Sequence, residues 1–404
     1  MKLQISYDDL VPSLDYVSSV VEDKFLEDNM RNIIFLFRKD AQGTVSLMLA
    51  GYNKIATCRT ALTDVDFQFI EEADDKWMQL EDGTSIAYMQ IKSKELNNFL
   101  GSFRSLKKTK PTQCEFATVR NKVRLMVQEE PKDEDDERAA QLRNTSIWVF
   151  DNAILKPAVL QDILMQLPTE GEESIASTDV LFYLNTLFPL VSDEGGSSLP
   201  SKMHFSEEYI FCVPNFATLM VNQLPNAFKG IVLAYSALNF LKKVAEHTEY
   251  MTVNKTGTHI TIKTDNSEAF LRYMTKMPDH TIYTREYKKD HMVAIDRVYL
   301  REVLKRLALT NDNVTIAIKP TANVITVSNT KYSTDIPIYS QRGLEELGEE
   351  ITFKMVQSHL NKAIIGDDTL FPDVLGIYLN RKGSGYTLVF SDTTGQWFST
   401  MQVR

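Results

Sequence analysis

Apolar and polar positions along this chain recur as one composite pattern, met about six times: a short alternating strand, an amphipathic helix of roughly three turns, then two or three more strands. The clearest copy starts at His291. His291-Met-Val-Ala-Ile295 is strand-like and Asp296 takes the N-cap position. Residues 297–309 then have helical periodicity, with Leu300, Val303, Leu304 and Leu307 on one side. Strands at 313–319, 323–328 and 333–339 follow. A unit this small cannot bury both a sheet face and a helix stripe alone, so copies must pack on one another. The pattern predicts a scaffold of repeated shape rather than a fold built around one catalytic pocket.

The other copies follow in order. The first has a strand at 2–6, a helix at 7–22 with Leu10, Leu14, Val17 and Val21 as its stripe, and strands at 32–38, 44–52 and 55–62. In the second, Ser93 caps a helix whose Leu96, Phe99, Leu100 and Phe103 point inward, between a strand at 85–91 and strands at 113–119, 122–128 and 145–150. The third is interrupted: a helix at 156–167 precedes an insertion at about 169–200 with its own helix at 178–191, and strands resume at 204–213 and 217–223. The fourth places a helix at 237–247 between a strand at 229–234 and strands at 250–254, 259–263 and 269–275. The sixth has a strand at 350–353, a helix at 354–365 and strands at 375–380, 386–391 and 397–403. Pairing copies predicts an α+β protein of three similar domains, each of two repeats: residues 1–150, 151–290 and 291–404.

Composition narrows the class. The 404 residues are 43% hydrophobic, enough for several cores. No apolar run approaches the ~18–20 residues of a membrane helix, and the start reads as a strand rather than a signal peptide, so a cytoplasmic protein without a membrane is expected. Cys58, Cys114 and Cys212 lack metal or redox spacing and read as small buried hydrophobes. The acidic run 129–138 reads as a solvated loop. Net charge is −10, yet basic charge gathers on the predicted helices. Residues 92–110 hold six Lys or Arg against one acid, and 296–309 hold four against two. Residues 6–22 oppose the trend with four acids. A cationic helix face is normally just a solvated surface; its recurrence on several equivalent helices is what suggests phosphate contact without base reading.

Three stretches add to the tandem architecture: Lys2-Leu-Gln-Ile-Ser-Tyr-Asp-Asp-Leu-Val-Pro-Ser-Leu-Asp-Tyr-Val17, Gly43-Thr-Val-Ser-Leu-Met-Leu49 and Trp397-Phe-Ser-Thr-Met-Gln-Val-Arg404. In their order and spacing the chain resembles the bacterial β-type DNA polymerase sliding clamps, as a divergent phage-like member. The resemblance implies a clamp fold with helices lining a homodimeric ring and sheets outside. Such a ring encloses double-stranded DNA irrespective of sequence, and binds a DNA polymerase and a clamp loader through short peptide motifs. It implies a processivity factor in a bacterial or phage-infected cytoplasm, with no enzyme activity and no cofactor. DNA-facing residues would be Lys94, Arg104, Lys107, Lys108, Lys242, Lys243, Arg297, Arg301, Lys305, Lys354 and Lys362. The partner-peptide pocket would take Leu219, Pro278, Phe398, Met401, Val403 and Arg404. Two departures stand out. The family's terminal Met-Pro-Met-Arg is here Met401-Gln-Val-Arg404, and its Thr-Asp-Gly-His-Arg-Leu strand end is Val213-Pro-Asn-Phe-Ala-Thr-Leu219.

Other readings are weaker. The six histidines show no HExxH pair, and no Walker A run, Rossmann fingerprint or nucleophile elbow is present. Asp367-Asp368 and the acids at 133–137 leave a metal-dependent nuclease as the one enzyme class to weigh, although solvated loops explain them better. The competing binding reading is a monomeric accessory factor that sits on DNA without enclosing it.

Overall fold

The structure is a computed structural model that describes residues 1–21, 30–53, 56–62, 65–71, 77–132, 144–165, 171–192, 199–214, 216–284, 290–309, 313–348, 350–364, 372–382, 385–392 and 395–403. In chain order the first stretch carries β1 (Lys2–Ser6), α1 (Tyr7–Ser18), β2 (Asn32–Lys39), β3 (Val45–Tyr52), β4 (Ala56–Ala61), β5 (Phe67–Ile70), β6 (Met78–Gln79), β7 (Ser85–Lys92), α2 (Ser93–Ser102), β8 (Thr109–Val119), β9 (Lys122–Pro131) and β10 (Asn144–Asp151). The middle carries α3 (Pro157–Leu164), β11 (Glu173–Ala176), α4 (Ser177–Leu187), β12 (Lys202–Phe205), β13 (Tyr209–Cys212), β14 (Ala217–Val221), β15 (Ile231–Ala234), α5 (Tyr235–His247), β16 (Tyr250–Lys255), β17 (His259–Lys263), β18 (Ser267–Arg272) and the single turn α6 (Thr281–Thr284). The last carries β19 (Met292–Asp296), α7 (Arg297–Leu307), β20 (Asn313–Lys319), β21 (Val324–Ser328), β22 (Ser333–Arg342), β23 (Ile351–Val356), α8 (Gln357–Ala363), β24 (Val374–Lys382), β25 (Gly385–Asp392) and β26 (Trp397–Val403). No helix among the described residues is long and apolar enough to cross a membrane.

The chain forms two compact units, Met1–Thr178 with Ser236–Tyr273, and Asp179–Tyr235 with Met274–Arg404. The expected middle domain, 151–290, contributes to both, because its two halves pair with different strands. In the first unit β18 pairs with β4, making the sheet β11-β16-β17-β18-β4-β3-β2-β7-β6 beside a five-stranded sheet β10-β9-β8-β1-β5. In the second, β14 pairs with β26, making a twelve-stranded sheet that begins β15-β12-β13-β14-β26-β25-β24-β19. Eight strands of each long sheet therefore follow one scheme, with β4–β18 in the role of β14–β26. Both joins hold a buried hydroxyl pair, Thr60 with Ser267 at 3.0 Å and Thr218 with Ser399 at 2.9 Å. On the same side of each sheet a cysteine meets a helix backbone: Cys58 donates to the Val17 carbonyl at 3.8 Å and Cys212 to that of Leu187 at 3.7 Å. All three cysteines are buried.

Several local expectations change. The sixth helix starts at Gln357, not at 354, because Ile351, Phe353 and Met355 alternate as buried strand positions; Lys354 is thus on β23. The stretch 204–213 is two strands, since the Ser206 hydroxyl accepts from the Tyr209 amide at 2.9 Å and turns the chain. The first helix closes at Ser18, short of residue 22, and α7 closes at Leu307. The acids at 133–137, Asp367 and Asp368 lie outside the described residues.

Candidate partner groove and basic surface

In the second unit, β14 and β26 lie side by side with Leu219 opposite Phe398 and Ala217 opposite Thr400. Alternation sends Leu219 and Phe398 to one face, where they join a buried cluster with Phe211, Ala217, Tyr378 and Val389. Tyr209, Val213, Tyr283 and Met292 pack against its border. The Tyr209 ring meets Phe398 edge-on at 5.7 Å. Residues 274–284 run over this face. The His280 ring lies 5.6 Å from Tyr209 and 6.0 Å from Phe211, and its Nε2 is 3.8 Å from the Glu208 carboxylate. Pro278 lies on that segment, half-buried. Met401 is on the opposite face, opposite Leu388, because residues 397, 399 and 401 share one parity and 398 the other. The Val403 side chain and Arg404 lie outside the described residues.

Next to Phe211 on the neighbouring strand sits His204, stacked on its ring at 4.8 Å and 0% exposed. Neither ring nitrogen finds a hydrogen-bond partner among the described residues. Burial, with the nearby Lys202 charge, holds the imidazole down to about 4 from its ordinary 6.5. The folded pKa lies below the unfolded one, so unfolding takes up a proton. The stability that neutral His204 confers is complete above about pH 6.5 and is lost as pH falls toward 4. Lowering pH from 7.5 to 5 should therefore cost the parent chain about 2 kcal/mol more than His204→Leu. Urea midpoints of both proteins at both pH values measure this; equal pH dependence would show that the ring is already solvated.

The cationic candidates separate by burial. Lys94 is exposed on α2. Arg104 is exposed on the 3-10 turn that follows α2 and reaches Asp15 of α1 at 3.4 Å. Lys107 and Lys108 are exposed just before β8, off the helix. On α5, Lys242 and Lys243 are half-buried, and Lys242 pairs with Glu246 at 3.7 Å. Arg301 is half-buried and Lys305 exposed on α7; Lys362 is exposed on α8, and Lys354 on a strand. Arg297 differs: it is 1% exposed and its Nε donates to the Pro372 carbonyl at 2.9 Å. A helix turns about 100° per residue, so a spacing of four drifts about 40° each time, and Arg297 falls about 20° from Leu304 on the core side. Its charge is internal, and it leaves the DNA-facing set. Arg306, exposed on α7, was not among the expected residues and pairs with Glu302 at 3.6 Å.

No protein-family model matches the sequence, and neither does any curated protein. Solved structures do match. The DNA polymerase III β subunit of Thermotoga maritima aligns at a TM-score of 0.69 and 10% identity, over 100% of this chain and 99% of its own. That of Pseudomonas aeruginosa gives 0.66 and 12%, over 100% of both chains. The sliding clamp of Bacillus subtilis gives 0.66 and 13%, over 100% of this chain and 99% of its own. The chain has the sliding-clamp fold. At such identities the likeness to clamps is one of backbone course, and the side chains lining each surface are this chain's own. Sequence reading grouped Leu219 with Phe398 through the clamp resemblance, and the structure pairs these two residues across β14 and β26. It missed Phe211, Tyr209, Tyr378 and His204, whose strands are apolar on both sides and give no local sign of which face they line.

Proposed function

We propose that this protein is a sliding clamp: a homodimeric ring that encircles duplex DNA, carries no active site, and tethers a DNA polymerase, with a clamp loader as its other partner. The observation that carries this reading is the match of the fold to β clamps over 100% of this chain. Enclosure needs only weak, sequence-blind contacts, which suits scattered cations on a chain of net charge −10. Lys94, Arg104, Lys107, Lys108, Lys242, Lys243, Arg301, Lys305 and Lys362 are the residues assigned to it, with Lys354 peripheral. Partner peptides would insert apolar side chains at the Leu219–Phe398 face beside Pro278. In a bacterial or phage-infected cell the site of action would be the cytoplasm.

For ring closure the first unit offers β10, which pairs on one side with β9 and is an end strand of its sheet, with Ile147 55% and Val149 52% exposed. The second unit offers β23, an end strand of the twelve-stranded sheet, and Leu309, 86% exposed after α7. Joining the two types of edge in a head-to-tail pair removes both from solvent. The test is retention on DNA after loading. Protein held on a nicked circle and released when the circle is cut supports enclosure. Equal retention on both, with a monomeric mass at micromolar concentration, would favour an accessory factor that binds without enclosing.

A further inference from the structure

The two long sheets share one strand scheme, and each has its non-helical face covered by the segment that follows a domain's last strand. The covers differ. In the first unit the cover is α3, two turns of helix that bury Val159 and Ile163, with Leu155 ahead of them, against Ile34, Leu36, Ala50 and Ile86. It is bound at both ends. The Tyr88 hydroxyl accepts from the Leu155 amide at 3.2 Å, and the Arg59 guanidinium donates to the Ile163 carbonyl at 2.7 Å. In the second unit the cover is residues 274–284, a run without helix or strand until the one helical turn that ends it. Ile282 there is 56% exposed, and Pro278, His280 and Tyr283 are only half-buried. Its ties to the sheet include a reciprocal backbone pair between Met274 and Val232, at 2.8 and 3.0 Å, and a long 3.4 Å bond from the Thr400 hydroxyl to the Tyr283 carbonyl.

Beneath this thinner cover lies a row formed by strand register: Val232, His204, Phe211, Leu219 and Phe398. Four are apolar. The fifth is a fully buried imidazole with neither nitrogen satisfied among the described residues. A buried polar group without a partner weakens the closed arrangement and regains hydrogen bonds when uncovered. His204 therefore lowers the cost of lifting the cover, and marks a point where an incoming chain can place a hydrogen-bonding group.

We propose that residues 274–284 form a displaceable strap, and that a partner taking its place meets the Phe211–Leu219–Phe398 row and a hydrogen bond from or to His204. This rests on the partner-groove reading above and adds its gate. The occupant is a short peptide with aliphatic or aromatic side chains and a polar group aligned with His204. The groups flanking the gate are His280 with Glu208 on its outer side and Lys202 along β12.

Strap opening is measurable on the chain alone, so its failure is distinct from a failure of partner binding. By amide hydrogen exchange, Val232, Met274 and Tyr283 should exchange at least ~100-fold faster than Phe211, Leu219 and Phe398 in the sheet below, which reports opening without global unfolding. His204→Leu should slow exchange across 274–284 about tenfold, whereas His204→Asn, which keeps a polar group, should not. Met274→Pro, which removes the amide donor to Val232, should speed it and provides a second reading if His204→Leu folds poorly. Exchange of the strap as slow as that of the sheet, or no response to either His204→Leu or Met274→Pro, would overturn the proposal.

Discussion

Reversing charge at Lys94, Arg301 and Lys305 together should reduce association with duplex DNA by orders of magnitude while leaving the unfolding midpoint within about 0.5 kcal/mol of the parent, as expected at exposed or half-exposed sites. Each phosphate left without its cation takes about 0.9 from the slope of log affinity against log salt, so the triple variant should flatten that slope by roughly 3. A titration at several salt concentrations reads both slope and affinity. An unchanged slope would mean that these side chains face away from DNA. Arg297→Glu is the contrasting variant, because it places a carboxylate at a site 1% exposed and opposite the Pro372 carbonyl. That change should unfold or strongly destabilise the second unit, with a loss of several kcal/mol. The two variants together separate charge that meets solvent from charge that holds the fold.

The same contrast shows how far sequence could be read. Strand alternation and helix stripes are local, so β19, α7, β20 and β21 are legible in 291–328 almost residue by residue. Leu219 and Phe398 could be set beside each other because a resemblance in order supplied the long-range pairing that no local pattern holds. Where two periods compete, local reading fails. Ile351, Phe353 and Met355 are spaced by two, but the apolar run that follows made 354–365 look helical. Within the expected pocket set Met401 is misplaced for the reverse reason: Phe398 and Met401 differ by an odd number, so one strand cannot show both on the same face. Arg297, Arg301 and Lys305 share a stripe only approximately, and the drift of that stripe buries its first member. His204 had no signal at all, since its burial comes from strands paired across the sheet, with Val232 on one side and Phe211 on the other.

In the proposed ring, closure is where a small change should have the largest consequence. On β10 the parity of positions puts Trp148 and Phe150 toward Phe99 of α2, with Trp148 5.5 Å and Phe150 6.5 Å from its ring. Ile147 and Val149 point the other way, to solvent. Ile147→Lys with Val149→Lys therefore spares the aromatic cluster and loads an end strand with charge, a substitution that blocks edge pairing. A head-to-tail dimer closes through two copies of one junction, so each substitution acts twice. If each junction is weakened by about 2 kcal/mol, dimer formation weakens by about 4 kcal/mol, close to a thousandfold in Kd. Light scattering should then show the parent at twice 46.1 kDa and the variant at 46.1 kDa at micromolar concentration. Retention on circular DNA should vanish with it. Peptide binding at the Leu219–Phe398 face should persist, because that face lies wholly within the second unit. A variant that stays dimeric would place the junction on another edge, and one that turns monomeric yet remains on circular DNA would remove enclosure as the basis of the tether.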